Sequence, residues 1–281
     1  MGRDVLGGQA VLEGVLMFGK GKYAVAVRAS EGVVVEKGPL PKLSSRLANI
    51  PFLRGLAILY LTFFVAVKAM HFSTNQALDD DEVGWGLIAA VVFVSLALML
   101  FLLTVLPFFI ANSFVPVENA VLFNLVEGFV RIALFIIYVL AISLMPDVRR
   151  MYRYHGAEHK VVNAFERTGK LSKTTAMKES ILHPRCSTSF VVLVLGVAIL
   201  IFALVPTTLH WSYALALRLL LLFPIVGAGF ELVKLTGDHA SSWWAAPLVW
   251  AGFVIQKLTT AEPDESMVEV ALTAAQAVVR A

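Results

Sequence analysis

The chain has 281 residues, of which 58% are hydrophobic and only 15% are charged. Soluble domains carry about 25% charged residues, so this composition excludes an ordinary soluble protein and indicates a membrane protein with some polar mass. The net charge of +3 is too small to predict nucleic-acid binding, and the single cysteine, Cys186, excludes an internal disulfide framework.

The N-terminal segment, residues 1–49, is polar and rich in glycine, and we expect no cleavable signal peptide because no apolar run follows its start. Alternation over Tyr23–Arg28 and the β-branched run Val33–Val35 predict a β-hairpin. The preceding stretch Gly7–Val15 predicts either a glycine-rich loop or a close backbone approach. Glu13 in this stretch is a candidate metal ligand or catalytic base, or a solvated loop carboxylate.

Four segments predict full transmembrane helices: residues 85–110, 129–145, 190–205 and 213–230. The clearest, Trp85–Ile110, holds no charge and exceeds the ~20 residues needed to cross a bilayer. Leu56–Val67 and Trp243–Ile255 are shorter, and they predict interfacial or re-entrant helices. The sequence therefore predicts an all-α polytopic membrane protein with about four full spans, two short helices and a small N-terminal β-hairpin.

Basic residues are distributed unevenly along the chain. Residues 1–84 hold nine Lys and Arg, residues 146–189 hold nine and residues 233–281 hold three, whereas the two remaining loops hold none. The positive-inside rule therefore places both termini and the central loop in the cytoplasm of a bacterium, around a multi-pass inner-membrane protein. Arg131 and Arg218 are interpreted as interfacial side chains that snorkel or pair with a glutamate.

This pattern divides the chain into five segments. They are a cytoplasmic glycine-rich segment (1–49), a membrane region (50–146), a cytoplasmic loop (147–189), a second membrane region (190–257) and a cytoplasmic amphipathic helix (258–281). The last segment is helical by periodicity, since its apolar residues share one face: Met267, Val270, Ala271, Ala274 and Val278. The second span is expected to continue out of the bilayer as a helix.

An H-x-x-E-H pattern carries the main chemical signal. In a helix, His155 and His159 lie on one face roughly 6 Å apart, which allows two imidazoles to bind one metal ion. Glu158 between them is suited to orient or deprotonate a bound water. The alternative is a polar helical face whose histidines pair with acidic side chains.

A second candidate group, His183-Pro-Arg-Cys186, directly precedes the third predicted span. His183 and Cys186 have ligand-like spacing, and a Cys186 thiolate would suit zinc. The alternative is a helix start in which Cys186 is a small buried residue. The candidate metal ligands are thus His155, His159, His183 and Cys186, and the candidate catalytic residues are Glu158 and Glu13.

Taken together, these motifs resemble the YqhQ-like family of bacterial membrane proteins, a domain family of unknown function described in general terms as metal-dependent enzymes. The resemblance covers nearly the whole chain and rests on the following motifs: Gly7–Met17, Tyr154–Lys160, Glu166, His183–Cys186 and Leu258–Asp264. It implies a metal but leaves the identity of the metal and the substrate open.

This chain departs from the family pattern at two positions. Phe18 stands where the family has an arginine, and Ser187 stands where the family has a glycine. If that arginine binds a substrate anion, this member differs in substrate or has lost it.

The function predicted from these observations is metal-dependent hydrolysis or transfer on a lipid-linked or membrane-proximal substrate at the cytoplasmic surface. The expected cofactor is a divalent metal, with zinc favoured by imidazole and thiolate ligands. The expected partners are membrane lipids. The alternative is a non-enzymatic scaffold or adaptor with a structural metal or a hydrogen-bonded His/Glu/Cys cluster. A transporter is the third reading, and the weak central charge within the spans argues against it.

Overall fold

A four-stranded sheet and a bundle of helices form the part of the chain described by the computed structural model, residues 6–41, 49–77 and 82–279. The strands are β1 (Gly7–Val11), β2 (Gly14–Gly19), β3 (Lys22–Ala29) and β4 (Gly32–Pro39). The helices are α1 (Leu53–Ala77), α2 (Trp85–Leu100), a π-helical turn (Phe101–Val105), α3 (Leu106–Phe114), α4 (Ala120–Ile142), α5 (Pro146–Thr168), α6 (Lys173–Ala176), α7 (Ser187–Phe202), α8 (Trp211–Asp238), α9 (Ala246–Thr259) and α10 (Glu265–Val279).

The sheet is an antiparallel meander in the order β1-β2-β3-β4. The predicted hairpin is confirmed as β3 and β4, in which Val27 pairs with Val34. The glycine-rich stretch before it, expected as a loop or close approach, forms a second hairpin from β1 and β2. Gly14 starts β2 because a Cβ at this position would collide with the carbonyl oxygen of Ala26 on β3.

Alternate residues of the sheet pack against different helices, as the period of two in a strand requires. One face joins α5 and α10 in a hydrophobic cluster that includes Val15, Met17 and Ala26. The other face packs Leu16 and Val25, with other residues, against α1. The sheet therefore lies between α1 on one side and the α5–α10 pair on the other.

Four helices in the described residues are long and apolar enough to cross a membrane: α1, the continuous α2–α3 segment Trp85–Phe114, α4 and α8. The predicted number of four is confirmed, but two assignments differ. Residues 56–67 lie within the 25-residue α1, whereas the predicted span 190–205 corresponds to α7, which has 16 residues. Sixteen residues extend about 24 Å, less than the ~30 Å hydrocarbon core.

Helix α1 includes Arg54 and Lys68, the charged residues on either side of Leu56–Val67, because both find partners. Arg54 pairs with Glu231 on α8, and Lys68 donates to the hydroxyl of Tyr23 at 2.9 Å. The first turn of α1 thus contacts the C-terminal half of α8, while its later turns contact the sheet.

The expected continuation of the second span as one helix is wrong. Helix α4 ends at Ile142, and α5 begins at Pro146 after a short turn. Proline is favourable in the first turn of a helix, where its missing N–H needs no partner, but it interrupts a helix interior. The break separates the membrane helix α4 from α5.

Of the two interpretations of Arg131 and Arg218, pairing with a glutamate is confirmed, whereas snorkelling to the interface is wrong. Their exposed fractions are 1% and 0%, and both bind the carboxylate of Glu127, at 2.6 Å and 2.9 Å. Arg131 also donates to the carbonyl of Leu103 at 2.6 Å, in the π-helical turn. One buried carboxylate therefore links α4 to α8, and Arg131 links α4 to the turn between α2 and α3.

Glu127→Gln is expected to lower the free energy of unfolding by about 3–5 kcal/mol, because it leaves two buried guanidinium groups without a counter-charge. The measurement is denaturant unfolding of the purified protein in mixed micelles. Glu118→Gln, which alters an exposed glutamate near the start of the same helix, is the matched control. Equal unfolding free energies for the two variants would contradict the role of Glu127.

Candidate metal centre

Helix α5 brings the H-x-x-E-H residues together as their spacing predicts. His155 and His159 lie one turn apart, with ring centroids separated by 4.4 Å. His159 is buried and His155 is half-buried, and their rings contact the segment that precedes α7 and the end of α9. The two imidazoles therefore face the protein interior.

Cys186 completes a group of three possible ligands. Its Sγ lies 3.2 Å from Nε2 of His155, and one ligand atom from each of His155, His159 and Cys186 lies within 4.8 Å of the others. Cys186 is also the N-cap of α7, where its Sγ accepts a hydrogen bond from the N–H of Thr188 at 3.3 Å.

Backbone carbonyls fix the tautomers of both histidines. Nδ1 of His155 lies 2.9 Å from the carbonyl oxygen of Thr259, and Nδ1 of His159 lies 2.5 Å from that of Ile181. A carbonyl oxygen only accepts, so in the neutral ring each Nδ1 carries the proton and each Nε2 keeps its lone pair. Metal-binding histidines commonly have such outer hydrogen bonds.

Burial shifts the pKa values of two residues, His159 and Glu158, in the directions that suit a metal site. Burial lowers the pKa of His159, so this imidazole stays neutral over a wider pH range. Burial raises the pKa of Glu158, an effect opposed by nearby His155 and His183 and by a backbone hydrogen bond from Gly8. Glu158 is therefore a weaker acid than an exposed glutamate and better suited to exchange a proton near neutral pH.

A cavity of about 170 Å³ adjoins the three ligands. Its lining comes from β1, α5 and the segment before α7: Leu6, Gly7, Gly8, His155, Glu158, His159, Val162, His183, Arg185, Cys186 and Ser187. Gly8 belongs here for a steric reason, since a Cβ on it would lie 2.6 Å from the oxygen of Leu16 and 3.0 Å from Cγ of Glu158. The N-terminal glycine motif thus lets a strand approach the carboxylate closely.

His183 lies beside the three-ligand group but is not part of it. Its Nε2 lies 3.3 Å from Glu166, and its Nδ1 accepts from the N–H of Arg185 at 3.3 Å. The side chain of Gln256 bonds both its N–H and its carbonyl, at 3.0 Å and 2.9 Å. Burial raises the pKa of Glu166, but hydrogen bonds from His183 and Arg185 outweigh it and lower this pKa overall. His183 and Glu166 thus hold the chain that presents Cys186.

Glu13 lies outside the cavity. It occupies the turn between β1 and β2 with a φ of 53°, and both of its oxygens accept from Arg150 on α5. The hydroxyl of Tyr154 donates to it at 3.2 Å. The structure therefore places Glu13 in contacts that attach the first hairpin to α5.

Sequence reasoning missed the residues that orient the ligands. Thr259 and Ile181 act through backbone carbonyls, which leave no trace in residue type. Gln256 belongs to none of the motifs. One signal was present in Gly156, where a Cβ would collide with the carbonyl of Ala261. That glycine allows the chain after α9 to cross α5 and brings Thr259 to His155.

Comparison with known proteins gives two matches. A family model described as "Protein of unknown function (DUF1385)" matches residues 50–281. The chain is also 30% identical over 286 residues to "Uncharacterized protein YqhQ" of Bacillus subtilis (strain 168), with 95% of this chain and 89% of that relative covered. No solved structure matches significantly. The family model includes the three possible ligands and Glu158, and the relative's match extends over nearly the whole chain.

Substitution of any of the three possible ligands is expected to weaken zinc binding. His155→Ala, His159→Ala and Cys186→Ala should each weaken zinc binding by more than the roughly 10- to 100-fold typical of losing an outer-shell partner. Elemental analysis of purified protein and competition with a chelator measure the change. His239→Ala, which alters an exposed histidine at the end of α8, is the control. Full zinc retention in all three variants would exclude this ligand set.

The metal-free protein should keep both histidines in one tautomer. Imidazole-nitrogen NMR shifts are expected to show protonated Nδ1 and unprotonated Nε2 for His155 and His159, because each Nδ1 faces a carbonyl oxygen. The His155→Gln and His159→Gln variants assign the two signals. A signal with protonated Nε2 and bare Nδ1 for either residue would contradict the geometry.

Proposed function

The chain belongs to the YqhQ-like DUF1385 family, and we propose that it is a metal-dependent membrane enzyme that catalyses hydrolysis or group transfer on a membrane-proximal substrate. His155, His159 and Cys186 hold a divalent ion, and Glu158 exchanges the proton. The observation that carries this proposal is the convergence of three ligand atoms within 4.8 Å beside a cavity.

Three protein ligands favour catalysis over a purely structural role. Structural zinc sites are closed by four protein ligands, whereas catalytic sites keep one position for water or substrate. His183, the nearest fourth candidate, has Nε2 against Glu166 and Nδ1 engaged by the N–H of Arg185. The described residues thus add no fourth ligand to this group, and a bound ion would keep a position for water or substrate from the cavity that Glu158 lines.

The donor set favours zinc, because two imidazoles and one thiolate match its ligand preferences. A bound divalent ion would supply Lewis acidity, which lowers the pKa of water and polarises a carbonyl or phosphoryl oxygen. The carbonyls of Thr259 and Ile181 engage both Nδ1 atoms, so both Nε2 atoms would be available to hold such an ion.

Glu158 has the position and the acidity of a general acid–base residue. It lies between the two histidines in sequence, is 6% exposed and lines the same cavity. Its carboxylate takes a proton from the attacking group and returns it to the leaving group. Gly8 orients the carboxylate during this exchange through its backbone hydrogen bond.

The location proposed for this chemistry is the cytoplasmic face of a bacterial inner membrane, with membrane lipids as neighbours and both termini cytoplasmic. One hydrophobic cluster contains residues from the sheet, α5, α6 and α10, so these segments share one side of the membrane. The positive-inside rule favours the cytoplasm for that side, because residues 1–49 and 146–189, which contain the sheet, α5 and α6, hold 16 of the 23 Lys and Arg.

A structural metal in a scaffold protein is the second candidate function. The hydrogen bonds that join Gln256, His183 and Glu166 favour it, because they connect α9, the segment before α7 and α5 without needing a substrate. In this alternative the metal contributes folding free energy, and its removal unfolds the cytoplasmic unit.

Glu158→Gln is expected to separate the two functions. The variant should keep its zinc and melting temperature but lose turnover by about 10²- to 10⁴-fold, the usual contribution of general acid–base catalysis. The assay incubates the protein in nanodiscs made from a total bacterial lipid extract and compares lipid species by mass spectrometry.

Glu31→Gln, at an exposed turn of the sheet, is the matched control and should convert lipids as the wild type does. His155→Ala should lose both zinc and turnover. If wild-type protein changes no lipid species and chelation lowers its melting temperature sharply, the scaffold function is correct and the enzymatic one is wrong.

A further inference from the structure

A second cavity, of about 340 Å³, lies next to the metal cavity and shares His155 and Ser187 with it. Its remaining lining comes from β1, the α4–α5 junction, α7 and the end of α9: Gln9, Ala10, Ile142, Val148, Met151, Tyr152, Thr188 and Thr259. None of these lining side chains carries a formal charge when His155 is neutral. The cavity is therefore suited to an apolar group.

Ser187, Thr188 and Thr259 place part of the polar lining beside the metal cavity, and Gln9 and Tyr152 are the other polar residues of the lining besides His155. Thr259 bonds His155 through its carbonyl, and its hydroxyl lies 3.3 Å from that of Thr188. The walls away from this point include Ile142, Val148 and Met151. An occupant with one polar end and one apolar body would match this distribution, with the polar end directed toward His155.

The apolar wall lies where the membrane helices end. Ile142 is the last residue of α4, a helix long and apolar enough to cross a membrane, and Thr188 lies in the first turn of α7. Leu144 and Met145, in the turn that follows α4, are 71% and 53% exposed. The cavity is thus next to exposed apolar side chains that follow a candidate membrane span, so a lipid chain is a suitable occupant.

We propose that this cavity holds the single alkyl chain of a membrane amphiphile, and that a carbonyl or phosphoryl oxygen of its head reaches the metal cavity. The proposal rests on the proposed function and names its substrate class. A volume of about 340 Å³ is at the small end of the ~300–1,000 Å³ range of ligand pockets, so it accommodates one chain and not a complete two-chain lipid.

Chain length is the property that this site selects. Each methylene moved from water into an apolar site improves affinity roughly fourfold, until the cavity is full. A short-chain analogue would make only the contacts of the head. The wild-type protein should therefore bind long-chain amphiphiles more tightly than short ones, by a margin that depends on the cavity walls.

A series of alkyl hydroxamic acids, from acetohydroxamic to dodecanohydroxamic acid, tests this property, because the hydroxamate head binds zinc and the tail is variable. Binding is measured on zinc-loaded protein in nanodiscs. Val148→Trp and Met151→Trp fill the cavity from two positions. Ile137→Trp, at a 60% exposed position on α4, is the matched control for partition of the probe into the bilayer.

The expected result is a rise in affinity with chain length in the wild type and in Ile137→Trp, and a flat series in Val148→Trp and Met151→Trp. Acetohydroxamic acid should bind all four proteins equally, which shows that the two filled variants keep a folded metal centre. A series that rises equally in all four proteins, or is flat in the wild type, overturns the alkyl-chain site.

Failure of the metal centre gives a different result. If the wild type neither retains zinc nor binds acetohydroxamic acid, the proposed function is wrong. In that case the long-chain hydroxamic acids still test whether the second cavity binds an alkyl chain. A chain-length dependence abolished by Val148→Trp supports the alkyl-chain site, and an unchanged dependence overturns it.

Discussion

The candidate centre depends on one constraint: the polar face of a buried helix must find partners among segments that are distant in the chain. Tyr154 is fully buried on α5, and Glu158 and His159 are nearly so. Buried polar groups are costly without hydrogen bonds. The sheet, the segment before α7 and the end of α9 supply these bonds and those of His155, and in doing so they direct both Nε2 atoms toward Cys186.

Buried polar groups within the membrane bundle also find hydrogen-bond partners, and there they link helices to one another. Glu127 accepts from Arg131 and Arg218, so one carboxylate neutralises part of the charge of two guanidinium groups. The rings of Phe108 and Phe202 cover the guanidinium of Arg218 at 4.8 Å and 5.7 Å. Charged side chains are therefore buried inside the bundle. The expectation of weak charge within the spans, which argued against a transporter, is wrong. Because both oxygens of Glu127 are engaged, the network acts as a brace between helices.

The candidate metal centre contacts both α5 and the ends of two bundle helices. Cys186 begins α7, and Thr259 ends α9, so two helices of the bundle deliver the contacts of His155 directly. The short turn after Ile142 places α5 beside them. A rearrangement of the bundle would therefore change the geometry of the ligands, which ties the proposed chemistry to the integrity of the membrane helices.

The sequence by itself determined what depends on local periodicity. It predicted the pairing of His155 and His159, the β3–β4 hairpin and the number of long apolar helices, because these follow from the repeat of a helix or strand. Only the tertiary structure decided that Cys186 joins the pair while His183 contacts Glu166, that Glu13 holds a hairpin, and that Arg131 and Arg218 are buried. The physical reason is that these outcomes depend on distances between side chains far apart in the chain, which packing sets and spacing does not.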